Sequence, residues 1–202
     1  MNLVEKAEAV GRVLHELDDE IKKFQSWSSL KCTFGCGRCC FKPEIEATPL
    51  EFLPLALYIF REGKAEAWFD KFDNQPDEKI CRLLDPRQLG AGLCTEYEYR
   101  GLICRSFGFS ARVNKYNRKE LLTCNVIKIE LVENFKSALE QINQDKEVPI
   151  ASDFYSKLHY IDPVLANQFM PINKAIQRAL EMTWEYFRYK NQEDQWPSDK
   201  IL

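Results

Sequence analysis

The chain has 202 residues, and 45% of them are hydrophobic, which is enough for an ordinary globular core. Its formal net charge is −3, so the chain as a whole has no electrostatic attraction for nucleic acid. The N-terminal residues mix charged and apolar side chains, and the longest apolar run, Phe52 to Phe60, is too short to cross a bilayer. These features predict a cytoplasmic protein with no nucleic-acid or membrane partner, in which thiols stay reduced.

Residues 2–27 are the first predicted element, an amphipathic helix. Apolar residues recur there at alternating spacings of four and three, which is typical of a helix with one buried seam. The seam consists of Leu3, Ala7, Val10, Leu14, Leu17, Ile21 and Phe24. It can pack on the chain's own domain or form a dimer with a second copy.

Four cysteines lie within nine residues of the next segment, interleaved with Gly35 and Gly37. They are Cys32, Cys36, Cys39 and Cys40. A core seldom collects four thiols in one loop, and glycines let a loop curl around an ion, so this segment predicts a metal site. Neighbouring residues of an extended chain point to opposite sides, so Cys39 and Cys40 are expected to have different roles.

Helix signals follow the cysteine loop. Thr48-Pro49 with Glu51 three residues after the threonine predicts a capped helix that runs to about Arg61 and stops at Gly63. Pro54 is expected to bend this helix early. A second, short helix is predicted over 64–72.

A dispersed second group of cysteines occupies residues 81–124. Its members are Cys81, Cys94, Cys104 and Cys124. Prolines and glycines between 85 and 92 predict a loop, and residues 93–113 predict short extended pieces and turns. All eight cysteines therefore lie between 32 and 124, and both histidines, at 15 and 159, lie outside both groups.

The C-terminal part of the chain contains no cysteine. Residues 125–142 mix strand-like and helix-like features, and helices are predicted over 152–158, from Asp162-Pro163, and over 172–190. The sequence thus predicts a mainly α, single-domain fold with an irregular cysteine-rich metal core braced by helices on either side. Its parts are the N-terminal helix (1–30), the cysteine-cluster region (31–125) and a C-terminal helical region (126–202) of the same domain.

Eight thiols without a nearby histidine suit zinc or an iron–sulfur cluster. They can supply two four-thiolate centres, or one cluster with spare thiols. Iron–sulfur is slightly favoured, because the dense loop is unlike the paired cysteine knuckles of zinc modules. Residues 99–119 carry six basic and no acidic side chains, and Arg100 and Arg105 are predicted to lie beside the centre and offset its negative charge. A solvated basic face and an anionic substrate site are the alternatives.

The cysteine pattern resembles the YkgJ-type family of zinc- or iron-chelating domains, CxxCxxCC. That family has a C-x2/3-C-x2-C-C loop, a C-x-x-L element, G-x-C-x-x-Y-x-x-R-P and C-R-x-F. The corresponding elements here are the loop Cys32–Cys40, Cys81 with Leu84, Gly92-x-Cys94-x-x-Tyr97-x-x-Arg100, Cys104-Arg105-x-Phe107 and a trailing Cys124. Gly101 stands where the family has proline.

The resemblance covers residues 30–125 and implies a metal or iron–sulfur site. Some family members act as protein lysine methylases, but this chain has no glycine-rich methyl-donor loop after a strand, so that activity is not transferred to it. Two function classes follow. The first is a metal-binding protein for redox, sensing or metal handling, and the second is an iron–sulfur-dependent enzyme that modifies a protein or peptide. A protein or an anionic small molecule is the expected partner.

Overall fold

A computed structural model describes residues 1–74, 80–88 and 91–193. Its helices are α1 Leu3–Ser28, α2 Leu53–Arg61, α3 Ala65–Asp73, α4 Leu102–Ser106, α5 Asn125–Glu130, α6 Val132–Ile142, α7 Ala151–Ile161, α8 Pro163–Ala166 and α9 Ile172–Glu193. Its strands are β1 Glu46–Ala47, β2 Leu84–Gln88, β3 Ala91–Cys94, β4 Ser110–Val113, β5 Lys119–Leu122 and β6 Met170–Pro171. Short 3-10 turns cover Arg38–Phe41, Pro49–Phe52 and Tyr97–Tyr99. The fold is mainly α, as the sequence predicts.

Helix α1 confirms the predicted N-terminal helix and packs within the chain. It begins with a capping box, in which the Asn2 side chain accepts a hydrogen bond from the backbone N–H of Glu5 at 3.0 Å. Six of the seven seam residues, from Ala7 to Phe24, are buried, and α1 contacts α2, α4 and α7. The chain's own core thus occupies the seam, so a dimer through α1 would have to use the polar face of the helix.

The predicted capping box of the second helix is also present. The backbone N–H of Thr48 donates to Oε1 of Glu51 at 3.0 Å. The first turn is a 3-10 turn, because Pro54 has no N–H to donate and Leu53 N–H bonds to the Leu50 carbonyl instead. Helix α2 ends at Arg61, and Gly63 has a φ of +67°, which suits the predicted stop.

Two hydrophobic cores flank the cysteine-bearing segments. The larger core is formed mainly by α1, α2, α7, α8, α9 and the Pro49–Phe52 turn. The smaller core joins the C-terminal end of α1 to β4, β5, α5 and α6, through Phe24, Leu30, Ala111, Leu121, Ile127, Ala138 and Ile142. Phe109 packs against both cores. Helices from both ends of the chain therefore support the region between them.

The strands pair in antiparallel twos, β1 with β6, β2 with β3 and β4 with β5. The predicted loop over 85–92 is wrong, since β2 and β3 form a hairpin with Leu84 opposite Cys94. Glycine at position 92 permits this pairing, because a Cβ there would lie 2.7 Å from the Asp85 carbonyl oxygen. Residues 89–90 lie outside the described ranges. The mixed signals over 125–142 resolve into two helices, α5 and α6.

The C-terminal helices agree with the prediction. The Asp162 side chain caps α8 by accepting from the N–H groups of Val164 and Leu165 at 3.0 and 2.9 Å. The predicted apolar face of α9 is buried at Ile172, Ile176, Ala179, Leu180 and Thr183. None of the described helices offers an apolar stretch of the length needed to cross a membrane.

Candidate metal centre

The cysteine loop folds onto the β2–β3 hairpin. The backbone N–H of Gly92 donates to the carbonyl of Gly35 at 2.9 Å. Gly37 has a φ of +56°, and a Cβ at this position would lie 3.0 Å from both the nitrogen and the oxygen of Gly92. Only glycine satisfies both the left-handed backbone and this close approach, so the glycines fix the loop against the hairpin that carries Cys94.

Cys39 and Cys40 lie in a 3-10 turn, Arg38–Phe41. The assumption that they point to opposite sides of an extended chain is therefore wrong. A 3-10 turn has three residues per turn, so neighbouring side chains diverge by less than in a strand, and the two sulfurs lie 3.9 Å apart. Their surroundings still differ, since Cys39 is exposed and Cys40 packs against the larger core.

Cys81 is tied to the cysteine loop and to α9. Its N–H donates to the Cys40 carbonyl at 3.0 Å. Asn173 holds the residues on either side of Cys81, because its amide oxygen accepts from Arg82 N–H and its amide nitrogen donates to the Ile80 carbonyl, each at 2.9 Å. Sequence reasoning missed Asn173, which lies in a helix far along the chain with no local signal for this contact.

Cys104 lies in the short helix α4, whose N-terminus is held by a buried carboxylate. Oε2 of Glu51 accepts from the N–H of Ile103 at 2.9 Å, and Glu51 is completely buried. The departure from the family pattern at Gly101 also finds its reason here. A Cβ at position 101 would lie 2.8 Å from the Phe52 ring, so this chain has glycine where the resemblance implies proline.

Glu51 was identified in the sequence only as part of a capping box. The same signal did not reveal that its second oxygen reaches α4, because that contact joins residues 52 positions apart. Glu51 thus couples the start of the second helix to the segment that carries Cys104.

Cys124 joins the N-terminal part of the cysteine loop. Its sulfur caps α5 by accepting from the N–H of Ile127 at 3.5 Å. Cys32, Cys36 and Cys124 line one cavity of about 390 Å³ between the loop and α5. Across it, Thr33 Oγ1 donates to Oε2 of Glu130 at 3.3 Å.

The spatial neighbours therefore do not follow the dense and dispersed groups of the sequence. Cys40 belongs with Cys81, and Cys124 belongs with Cys32 and Cys36. The cysteine-bearing segments and their spacing agree with a family model that matches residues 31–127, CxxCxxCC, described as a "Putative zinc- or iron-chelating domain".

Residues 31–127 belong to the CxxCxxCC family. All eight cysteines fall within this CxxCxxCC domain, and the family resemblance read from the sequence is confirmed. Comparisons with curated proteins and with solved structures gave no significant match.

The thiols of the CxxCxxCC domain fit a metal by their chemistry. All eight cysteines are free thiols, and thiolate-rich sets suit zinc and iron–sulfur clusters. Within the described ranges, no three His, Cys, Asp or Glu side chains already lie close enough to one point to hold an ion. A bound metal would therefore have to draw the sulfurs inward. The two histidines are exposed on α1 and α7.

The buried thiols hold their protons strongly. Burial raises the pKa of Cys81 to about 11, and burial also raises the pKa of Cys104 well above its usual value. The hydrogen bond between the two adjacent sulfurs lowers the pKa of Cys39 to about 6 and raises that of Cys40. The first thiolate of the domain to form is thus that of Cys39.

The two predicted arginines have different surroundings. Arg100 lies with its guanidinium 3.5 Å from the centre of the Tyr97 ring, and its charge helps to lower the pKa of Cys39. Arg105 is buried and donates to Asp18, to the Glu98 carbonyl and, at 2.8 Å, to the Arg100 carbonyl. Arg105 thereby ties the segment before Cys104 to α1.

The rest of the basic stretch pairs with carboxylates elsewhere. Arg112 contacts Glu120 at 2.9 Å across the β4–β5 hairpin, and Lys119 lies 3.8 Å from Asp145. These pairs account for part of the positive charge without any metal. Among the six basic residues, Arg100 is the one whose charge acts on Cys32, Cys39, Cys94 and Cys104 in the described residues.

Single serine substitutions should separate Cys39 from Cys40. We expect Cys40→Ser to remove more metal per chain than Cys39→Ser, because Cys40 is packed beside Cys81 and Cys39 is exposed. Metal analysis of the two purified variants beside the wild type tests this. Equal metal loss with identical absorption spectra would contradict different roles.

The metal-free protein should lose stability in alkaline solution. A thiol whose pKa rises on folding favours the folded state while it is protonated, so the contribution of Cys81 is complete below about pH 9 and is lost as pH approaches 11. The expected loss is about 2–3 kcal/mol in the free energy of unfolding. Urea unfolding of the chelated protein between these pH values measures it. The Cys81→Ser variant should show a flatter pH dependence, and an equally steep one would contradict the assignment.

Proposed function

We propose that the CxxCxxCC domain holds an iron–sulfur cluster or zinc through its cysteine thiolates, and that the protein works in redox chemistry, sensing or metal handling. The iron–sulfur cluster is slightly favoured. The proposed ligands are Cys32, Cys36, Cys39, Cys40, Cys81, Cys94, Cys104 and Cys124.

One observation carries the proposal. Thiols that are far apart in the sequence come together, because the backbone of Cys81 bonds to Cys40 and Cys124 shares a cavity with Cys32 and Cys36. A solely structural role in packing would not need eight free thiols at the junction of two cores. A thiolate-bound cluster supplies one-electron redox chemistry, and a thiolate-bound zinc supplies a stable structural or transferable ion.

Anaerobic purification tests the proposed function. Iron, zinc and acid-labile sulfide are measured per chain together with the absorption spectrum. Coloured protein with iron and sulfide supports the favoured form. Colourless protein with stoichiometric zinc decides the metal against iron–sulfur and leaves the ligands standing. A chain that binds neither metal contradicts the proposal.

Arginine variants test which positive charge acts on the site. In iron-loaded protein, Arg100→Ala should lower the reduction potential, because the reduced form carries more negative charge and loses a neighbouring cation. Arg105→Ala should instead lower the melting temperature, because it removes the contacts with Asp18 and two backbone carbonyls. Voltammetry and thermal unfolding of both variants separate the effects. An unchanged potential in Arg100→Ala would remove this arginine from the site.

A further inference from the structure

We infer that the cysteines form two sites of different character: an open site of Cys32, Cys36 and Cys124 that takes up and releases a thiophilic metal ion, and an enclosed site that retains its metal. The enclosed site consists of Cys40, Cys81, Cys94 and Cys104. The inference rests on the proposed function, because both sites use the thiols proposed there as ligands.

The enclosed group is buried against the larger core. Cys81 has 6% of its surface exposed, and Cys40, Cys94 and Cys104 pack against the same core. Its segments are fixed from several sides, by Asn173 around Cys81 and by Glu51 at the start of the helix that carries Cys104. Four thiols in a closed, braced setting match the character of structural metal sites, whose ligand shell is complete.

The open group faces a cavity. Cys32 is exposed, and with Cys36 and Cys124 it lines the cavity of about 390 Å³ between the loop and α5. Three protein ligands with adjoining space leave a coordination position for an external ligand, which is the feature that separates reactive from structural metal sites. Cys39, with its sulfur 3.9 Å from that of Cys40, lies between the two groups.

The surroundings of the cavity suit exchange with a soft acceptor. Val126 and Leu131 line it, and Phe34 at the tip of the loop is 89% exposed. Gly35 has a φ of +71° with open space where a side chain would be, so the loop can move without a clash. Thiolate donors select soft metal ions, and such ions transfer to other thiols. A thiol-bearing acceptor is therefore the class of partner that would receive the ion.

Chelator challenge of zinc-loaded protein tests the inference. The wild-type chain is reconstituted with zinc and mixed with 4-(2-pyridylazo)resorcinol, and released zinc is followed by absorbance. We expect two zinc ions per chain, one released in a fast phase and one in a slow phase. Cys32→Ser and Cys124→Ser should lose the fast phase and keep the slow one. Thr33→Ser, beside Cys32, is the matched control and should keep both phases.

Alkylation mapping provides a second measurement that does not depend on folding of the variants. In the wild type, zinc should protect all eight cysteines from N-ethylmaleimide, and brief chelation should re-expose Cys32, Cys36 and Cys124 alone among the proposed ligands of the two sites. Release in a single phase, or a fast phase that survives in Cys32→Ser, would overturn the inference while the proposed function stands. A wild-type chain that binds no zinc or iron would overturn the proposed function itself.

Discussion

Removal of the bound metal should lower the melting temperature of the protein by about 20 °C or more. Structural thiolate sites supply on the order of 10 kcal/mol of apparent binding energy, and 1 kcal/mol shifts the midpoint of a chain of this size by about 2–4 °C. The enclosed cysteines join the β2–β3 hairpin, the cysteine loop and α4, so loss of the metal should loosen these segments first. Calorimetry of loaded and chelated protein measures the shift.

The helical signal should survive metal removal better than the thermal transition does. Helices α1, α2, α7 and α9 pack around the larger core without using any cysteine as a main contact between them. Circular dichroism at low temperature should therefore retain most of its helical intensity after chelation. A melting curve that does not change after verified metal removal would contradict a stabilising metal.

Replacement of Glu51 should have the second largest effect. Glu51→Ala leaves the N–H groups of Thr48 and Ile103 buried without their acceptor, and each unsatisfied buried donor costs about 1–3 kcal/mol. Together with the cavity left behind, the expected loss is about 3–5 kcal/mol in the free energy of unfolding. The metal content should fall as well, because α4 would no longer hold Cys104 in place.

Glu46→Ala is the matched control for this substitution. Glu46 is exposed on the neighbouring strand β1, so its replacement should change stability by less than about 0.5 kcal/mol. Urea unfolding and metal analysis of both variants give the comparison. Equal stability of Glu51→Ala and Glu46→Ala would contradict the role given to the buried carboxylate.

Local signals in the sequence predicted the elements that depend on local physics. The seam of α1 followed from spacing alone, and the Thr48–Glu51 capping box and the Asp162-Pro163 start of α8 followed from side chains that bond within one turn. The cysteine pattern likewise predicted the family, because its spacing is recorded directly in the chain.

Features that depend on distant contacts were missed. Pro86 and Gly92 indicate a loop by their local preference, but the hairpin forms because Gly92 allows close approach to Asp85 and Gly37. The turn that brings the sulfurs of Cys39 and Cys40 together follows the left-handed Gly37, whose conformation depends on that same packing. Which cysteines are neighbours was not recorded in the spacing, since strand pairing and the position of α5 decide it.

X-ray absorption spectroscopy at the metal edge tests the central claim most directly. The anaerobically purified protein is measured at the edge of whichever of iron or zinc it contains. Thiolate ligation through the eight cysteines predicts a first shell of sulfur alone, at about 2.3 Å for zinc. A first shell dominated by nitrogen or oxygen, or a chain that carries neither metal, would contradict the account.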